Sequence, residues 1–170
     1  YFDLLELDRG EEVRKEITLK LDEIGFDTEA SHHEVAPGQH EIGMRYNKAL
    51  TVADRIMTFK LAVKTIAKQH GFYASFMPKP MFGCNGSGMH VHQSLASEDK
   101  NLFDDPSDKF GLSKEAYYYL GGLLAHAPEM SAILNSQVNS YKRLVPGYEA
   151  PCYISWANMN RSALIRVPAG

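Results

Sequence analysis

His32-His33-Glu34-Val35-Ala36-Pro37-Gly38-Gln39-His40-Glu41-Ile42 places one carboxylate on each side of a Pro-Gly pair. No helix runs through such a pair, because proline lacks the N–H and glycine resists the helical conformation. The flanks, residues 26–35 and 39–46, therefore read as two strands interrupted at 36–38. If Glu34 and Glu41 meet across that turn, their charges repel and raise each other's pKa unless a divalent cation neutralises them. Hard oxygen ligands of this kind suit Mg²⁺ or Mn²⁺. Taken alone, the pair reads better as solvent-facing strand residues, and only its motif reverses that reading.

Upstream of this stretch, Val13, Ile17, Leu21 and Ile24 recur at helical spacing, with Glu11 and Glu12 in the first turn and Gly25 as a stop. Downstream, Val52, Ile56, Phe59, Val63 and Ile66 predict a second amphipathic helix, with Thr51 and Asp54 as its cap and Gly71 at its end. Further strands are expected at 72–77, 89–95, 153–157 and 163–167, with a polar loop at 96–112. Ser113 should cap a helix carrying Tyr117, Leu120 and Leu124. Pro128 should open a short separate helix to Leu134, and 135–151 reads as flexible. Strands alternating with helices, including hairpin-capable pairs, give an α+β (α/β) domain with a mixed or antiparallel sheet.

A second chemical motif is Asn85-Gly86-Ser87-Gly88-Met89-His90-Val91-His92. The glycines permit close approach of a ligand, the Asn85 amide both donates and accepts hydrogen bonds, and His90 and His92 would share one face of a strand. By spacing alone His90 reads as a hydrogen-bonded strand histidine. Arg143, Arg161 and Arg166 offer planar, permanently charged groups that match carboxylate and phosphate, although isolated arginines are usually solvated. Val145-Pro146-Gly147-Tyr148-Glu149-Ala150-Pro151 has the punctuation of a mobile lid.

These motifs, in this order, resemble the glutamine synthetase family, and specifically its bacterial and archaeal type I members. The resemblance is carried by residues 29–42, Lys79-Pro80, 85–94, 139–151 and 160–168. It implies a partly open, barrel-like and mainly antiparallel sheet with helices outside, of which residues 1–170 would be the central part of the catalytic domain. It also implies ligation of ammonia to the side-chain carboxylate of L-glutamate through γ-glutamyl phosphate, with ATP consumed and Mg²⁺ or Mn²⁺ bound. By resemblance Glu34, Glu41 and His90 bind metal, and Asn85, Gly86, Arg143, Glu149 and Arg161 bind glutamate. Glu29, His92, Ser94, Arg161 and Arg166 bind ATP, while Glu149 and Arg161 take the catalytic roles. Gln93 stays open between binding and structure, and His32, His33 and His40 are expected to be supporting residues.

The same resemblance implies a homo-oligomer of two stacked hexameric rings in the cytoplasm. Further carboxylate ligands would lie upstream and downstream, so the isolated 170 residues are expected to be inactive. A γ-glutamyl-amine (polyamine) ligase, a non-catalytic scaffold and an unrelated Mg²⁺-dependent phosphotransferase are the competing readings. A composition of 44% hydrophobic and 23% charged residues with net charge -3 is that of an ordinary globular domain. It gives no basic stripe for nucleic acid and no apolar run long enough to span a bilayer. Cys84 and Cys152 have neither disulfide-framework nor zinc spacing and are expected to be reduced and non-catalytic.

Overall fold

The computed structural model describes residues 1–3, 8–98 and 100–168. Asp99 of the expected polar loop and the terminal Ala169 and Gly170 lie outside the described residues. The chain divides into two units, residues 1–87 and 88–170.

In the first unit, α1 (Glu11–Glu23) is followed by β1 (Thr28–His33), β2 (His40–Met44) and α2 (Ala49–Gln69). Val13, Ile17 and Leu21 fall four apart on one face of α1, and with Phe26, Ile66 and Ala67 they form the core, Leu21 being fully buried. Both helices end where glycine was expected to stop them. Gly25 and Gly71 take φ of +85° and +75°, a conformation that costs glycine little. The Phe26 N–H then reaches the Leu21 carbonyl at 3.0 Å, and the Phe72 N–H reaches Ala67 at 2.9 Å, satisfying carbonyls the helices leave open. Thr51 and Asp54 do not cap α2, which begins earlier, at Ala49 after Lys48.

The β1–β2 hairpin is antiparallel, with His32 opposite Glu41, His33 opposite His40, and an irregularity between Thr28 and Ala30. Residues 72–77 are not a strand. Among the described residues their backbone pairs with no neighbouring strand, and Tyr73 is exposed.

In the second unit, β3 (Ala96–Ser97) and β4 (Lys100–Asn101) form a minimal antiparallel pair. They are followed by α3 (Lys114–Leu134), α4 (Val138–Arg143), β5 (Trp156–Asn158) and β6 (Ile165–Val167). Residues 89–95 do not form the expected strand, and only at their end does the Leu95 carbonyl accept from the Leu102 N–H at 2.8 Å among the described residues. Instead of two helices, α3 is one that continues through Pro128. The strong helix formers around it, Leu123 to Ala127 on one side and Met130 to Leu134 on the other, carry it past the missing N–H. The stretch read as flexible contains α4, which ends on Arg143.

Strands β5 and β6 pair in parallel, with Trp156 opposite Ile165. The expected mixture of helices and mainly antiparallel strands is present. The described strands form three separate two-stranded sheets and no closed barrel. No helix among the described residues is long and apolar enough to cross a membrane.

Candidate functional site

Side chains alternate across the hairpin, and that alternation sorts the polar residues beside its turn into two faces. His32, Glu34 and Glu41 share one face, where a ligand atom from each lies within 4.8 Å of the other two. Glu34 stands just beyond β1, yet its N–H still bonds the Gln39 carbonyl at 2.7 Å, so the ladder extends to it. His32 Nε2 meets Glu34 Oε1 at 2.8 Å, and the Phe2 ring stacks on the imidazole at 4.6 Å between centroids. Two hard oxygens and one imidazole nitrogen in this arrangement fit a small divalent cation. The sequence placed Glu34 and Glu41 here but left His32 out. Its position two residues before Glu34 was the available signal.

The other face holds His33 and His40, whose rings meet edge to face at 5.1 Å. Behind them, the Arg14 guanidinium bonds Asp8 at 2.5 Å and His40 Nδ1 at 2.7 Å. The Arg14 and Asp8 side chains are 8% and 1% exposed, so the ion pair is dry, and Arg14 Nε has no partner among the described residues. Burial would raise the Asp8 pKa, but the hydrogen bond and charge of Arg14, with the Gly10 N–H, hold it below the usual carboxylate value. Burial also favours the neutral form of His40, whose pKa is lowered despite the pull of Asp8. Gly10 lets His40 lie against α1, since a Cβ there would stand 2.3 Å from Nε2.

Asn85 and Gly86 lie in a loop closed by the Ser87 N–H on the Pro78 carbonyl at 2.9 Å and by buried Lys79, which donates to the Cys84 carbonyl. Gln39 reaches this loop from the hairpin turn, donating to the Gly86 carbonyl at 2.9 Å and to Ser87 Oγ at 3.0 Å. Gln39 and Lys79 were not among the expected site residues, although both stand inside quoted motifs. Glu29 is exposed on β1, at its irregularity.

The second unit displays the remaining candidates. His90, His92 and Ser94 are exposed in the 89–95 segment. Arg143 is half-buried, and desolvation pulls its pKa below the usual guanidinium value, opposed by nearby Cys152. Its guanidinium lies against the Gly88 backbone, where a Cβ would come 2.3 Å from Nη2 and 2.7 Å from Cζ. Exposed Glu149 holds φ at +58°, a left-handed conformation uncommon for a non-glycine residue. Arg161 lies in an exposed turn, and Arg166 is exposed on β6 opposite Ala157.

A family model described as "Glutamine synthetase, catalytic domain" matches residues 1–170. The chain belongs to this family. The glutamine synthetase of Clostridium saccharobutylicum is 62% identical over 169 residues, covering 99% of this chain and 38% of that protein. That of Methanosarcina mazei is 59% identical over the same length and the same shares. A cryo-EM structure of Plasmodium falciparum glutamine synthetase superposes with a TM-score of 0.93 at 38% identity, covering 98% of this chain and 32% of that one. The chain thus spans about two fifths of the length of these curated relatives, 38% in each case.

Proposed function

We propose that this chain is the central part of a glutamine synthetase catalytic domain and that the full-length protein ligates ammonia to L-glutamate at the expense of ATP. The observation that carries this reading is the common face of His32, Glu34 and Glu41 in a member of this family. Glu34 and Glu41 would hold one Mg²⁺ or Mn²⁺ ion, and His90 would hold another. When bound, the cation offsets negative charge on the phosphoryl group in transfer.

Glu29, His92, Ser94 and Arg166 would bind ATP, while Asn85, Gly86 and Arg143 orient glutamate, Arg143 by pairing with a carboxylate. An oxygen of the glutamate side-chain carboxylate attacks the γ-phosphorus of ATP, and the bond to ADP breaks. Arg161 bridges substrate and phosphoryl oxygens and steadies the charge that builds there. Glu149 takes a proton from ammonium. The nitrogen then attacks the acyl carbon of γ-glutamyl phosphate, and orthophosphate leaves with the C–O bonding pair. Closure of the 145–151 segment would keep water from the acyl phosphate. The full-length protein would work as a cytoplasmic homo-oligomer of two hexameric rings.

The test is ADP release by the full-length protein with glutamate and Mg²⁺, comparing ammonium, methylamine and putrescine at equal concentration. Ammonium-dependent release with glutamine as product is expected. Preference for another amine would replace this reading with a γ-glutamyl-amine ligase, and no release with any amine would replace it with a scaffold.

A further inference from the structure

Gln39 makes hydrogen bonds in two directions from the hairpin turn. Toward the turn, its Oε1 accepts from the Ala36 N–H at 3.1 Å, its backbone N–H donates to the Ala36 carbonyl at 3.0 Å, and its carbonyl accepts from the Glu34 N–H at 2.7 Å. Toward the loop, its Nε2 donates to the Gly86 carbonyl at 2.9 Å and to Ser87 Oγ at 3.0 Å. The amide has only one orientation that satisfies these neighbours, because the Ala36 N–H can only donate and the Gly86 carbonyl can only accept. The bonds from Ser87 to Pro78 and from Lys79 to Cys84 close the loop on itself, whereas Gln39 grips it from outside.

One half-buried side chain therefore joins the backbone beside Glu34 to the backbone of Gly86, 47 residues away from it in sequence. A shift of Gly86 must either stretch those bonds or move the turn that carries Glu34. We propose that Gln39 is a positioning residue that couples divalent-cation binding at Glu34 and Glu41 to glutamate binding at Asn85 and Gly86. This rests on the functional reading above and extends it. Coupling between two binding equilibria is reciprocal, so glutamate tightens the cation by the factor with which the cation tightens glutamate.

The experiment uses the full-length protein with Mn²⁺ as probe, titrated by electron paramagnetic resonance with and without saturating L-glutamate. The converse titration, glutamate with and without Mn²⁺, is followed by calorimetry. Wild type should show the same factor both ways, about fivefold or more. Gln39→Glu keeps the length and the oxygen facing Ala36 but sets an acceptor against the Gly86 carbonyl. Gln39→Met removes donor and acceptor together at similar size. In both variants each ligand should still bind alone, while the factor falls to within about twofold of unity, against the usual fivefold minimum for coupled sites. Ser87→Ala leaves the turn intact and removes one of the two acceptors, so its factor should be intermediate.

An unchanged factor in both Gln39 variants overturns the inference, as does an unchanged factor in Ser87→Ala should the turn variants not fold. Wild type that binds both ligands independently overturns the inference and leaves the proposed function standing. Wild type that binds neither overturns both.

Discussion

The carboxylates of the first unit stand on a paired hairpin braced from behind, whereas the arginines of the second stand on a short helix, a turn and a three-residue strand. Glu34 and Glu41 owe their separation to strand register, with His32 facing Glu41, and to the dry Asp8–Arg14 pair that holds His40 on the opposite face. Arg143 owes its position to a glycine that leaves room for the guanidinium beside the backbone. The difference teaches that side chains held at a fixed spacing are set by strand pairing, while a single guanidinium needs only a half-buried seat. Breaking either device should give a different signature.

The largest effect is expected behind the hairpin. Arg14→Met leaves the Asp8 carboxylate buried without its counter-charge, and breaking a buried pair in this way typically costs about 3–5 kcal/mol. Urea denaturation of the full-length protein at pH 7 would measure it. The sign of its pH dependence is also fixed. In wild type the folded pKa of Asp8 lies below the ordinary 3.8, so its contribution is fully present above the unfolded value and is lost as pH falls through the folded one. Without Arg14, burial dominates and raises that pKa, so the folded variant prefers the protonated acid. The gap in midpoint between variant and wild type should therefore narrow from pH 7 toward pH 4, and a constant gap would refute the ionic account of this brace.

The second unit should respond in binding and not in stability. Gly88→Ala sets a methyl group where Arg143 now lies, but the atoms it meets are the far end of a flexible side chain, which can swing aside. On the proposed role of Arg143, displacement of about 1 Å raises the KM for glutamate on the order of 10- to 100-fold. The thermal midpoint should stay within about 1 °C, far inside the shift of about 4 °C or more that 1 kcal/mol gives a small domain. Steady-state kinetics with glutamate varied at saturating ATP would check the first, and calorimetry the second. A large loss of stability with an unchanged KM would mean that Gly88 serves the fold.

What could be read in the sequence follows the same division. The hairpin, α1 and its stop at Gly25 were legible because turn chemistry and periodicity act over neighbouring residues. The 89–95 segment was not, since Met89, Val91, Gln93 and Leu95 alternate as a strand would, and only a partner edge makes a strand of them. The continuation of α3 through Pro128 was hidden because one lost hydrogen bond is weighed against the whole helix. At the site, Glu34 and Glu41 were marked by their motif, whereas the contacts of Gln39 with Gly86 and of Arg14 with His40 join residues 47 and 26 apart, which no local pattern announces.

The smallest effect is expected where the two units solve one problem differently. The N–H groups at the start of α1 are served from Asp8, whose carboxylate accepts from Gly10 at 3.0 Å and whose carbonyl accepts from Glu11 at 3.2 Å. Those of α3 are served by Ser113, whose hydroxyl accepts from the Ala116 N–H at 3.1 Å and donates to the Leu102 carbonyl at 2.6 Å. Ser113→Ala removes both bonds but leaves no buried charge, so it should cost about 1 kcal/mol, the usual loss for an N-cap. Ser113→Thr keeps a hydroxyl able to do both tasks and should recover most of that loss in urea denaturation. If instead Ser113→Ala costs as much as Arg14→Met, the second unit depends on a single polar junction as strongly as the first, and the contrast between a braced hairpin and a lightly tethered set of arginines does not hold.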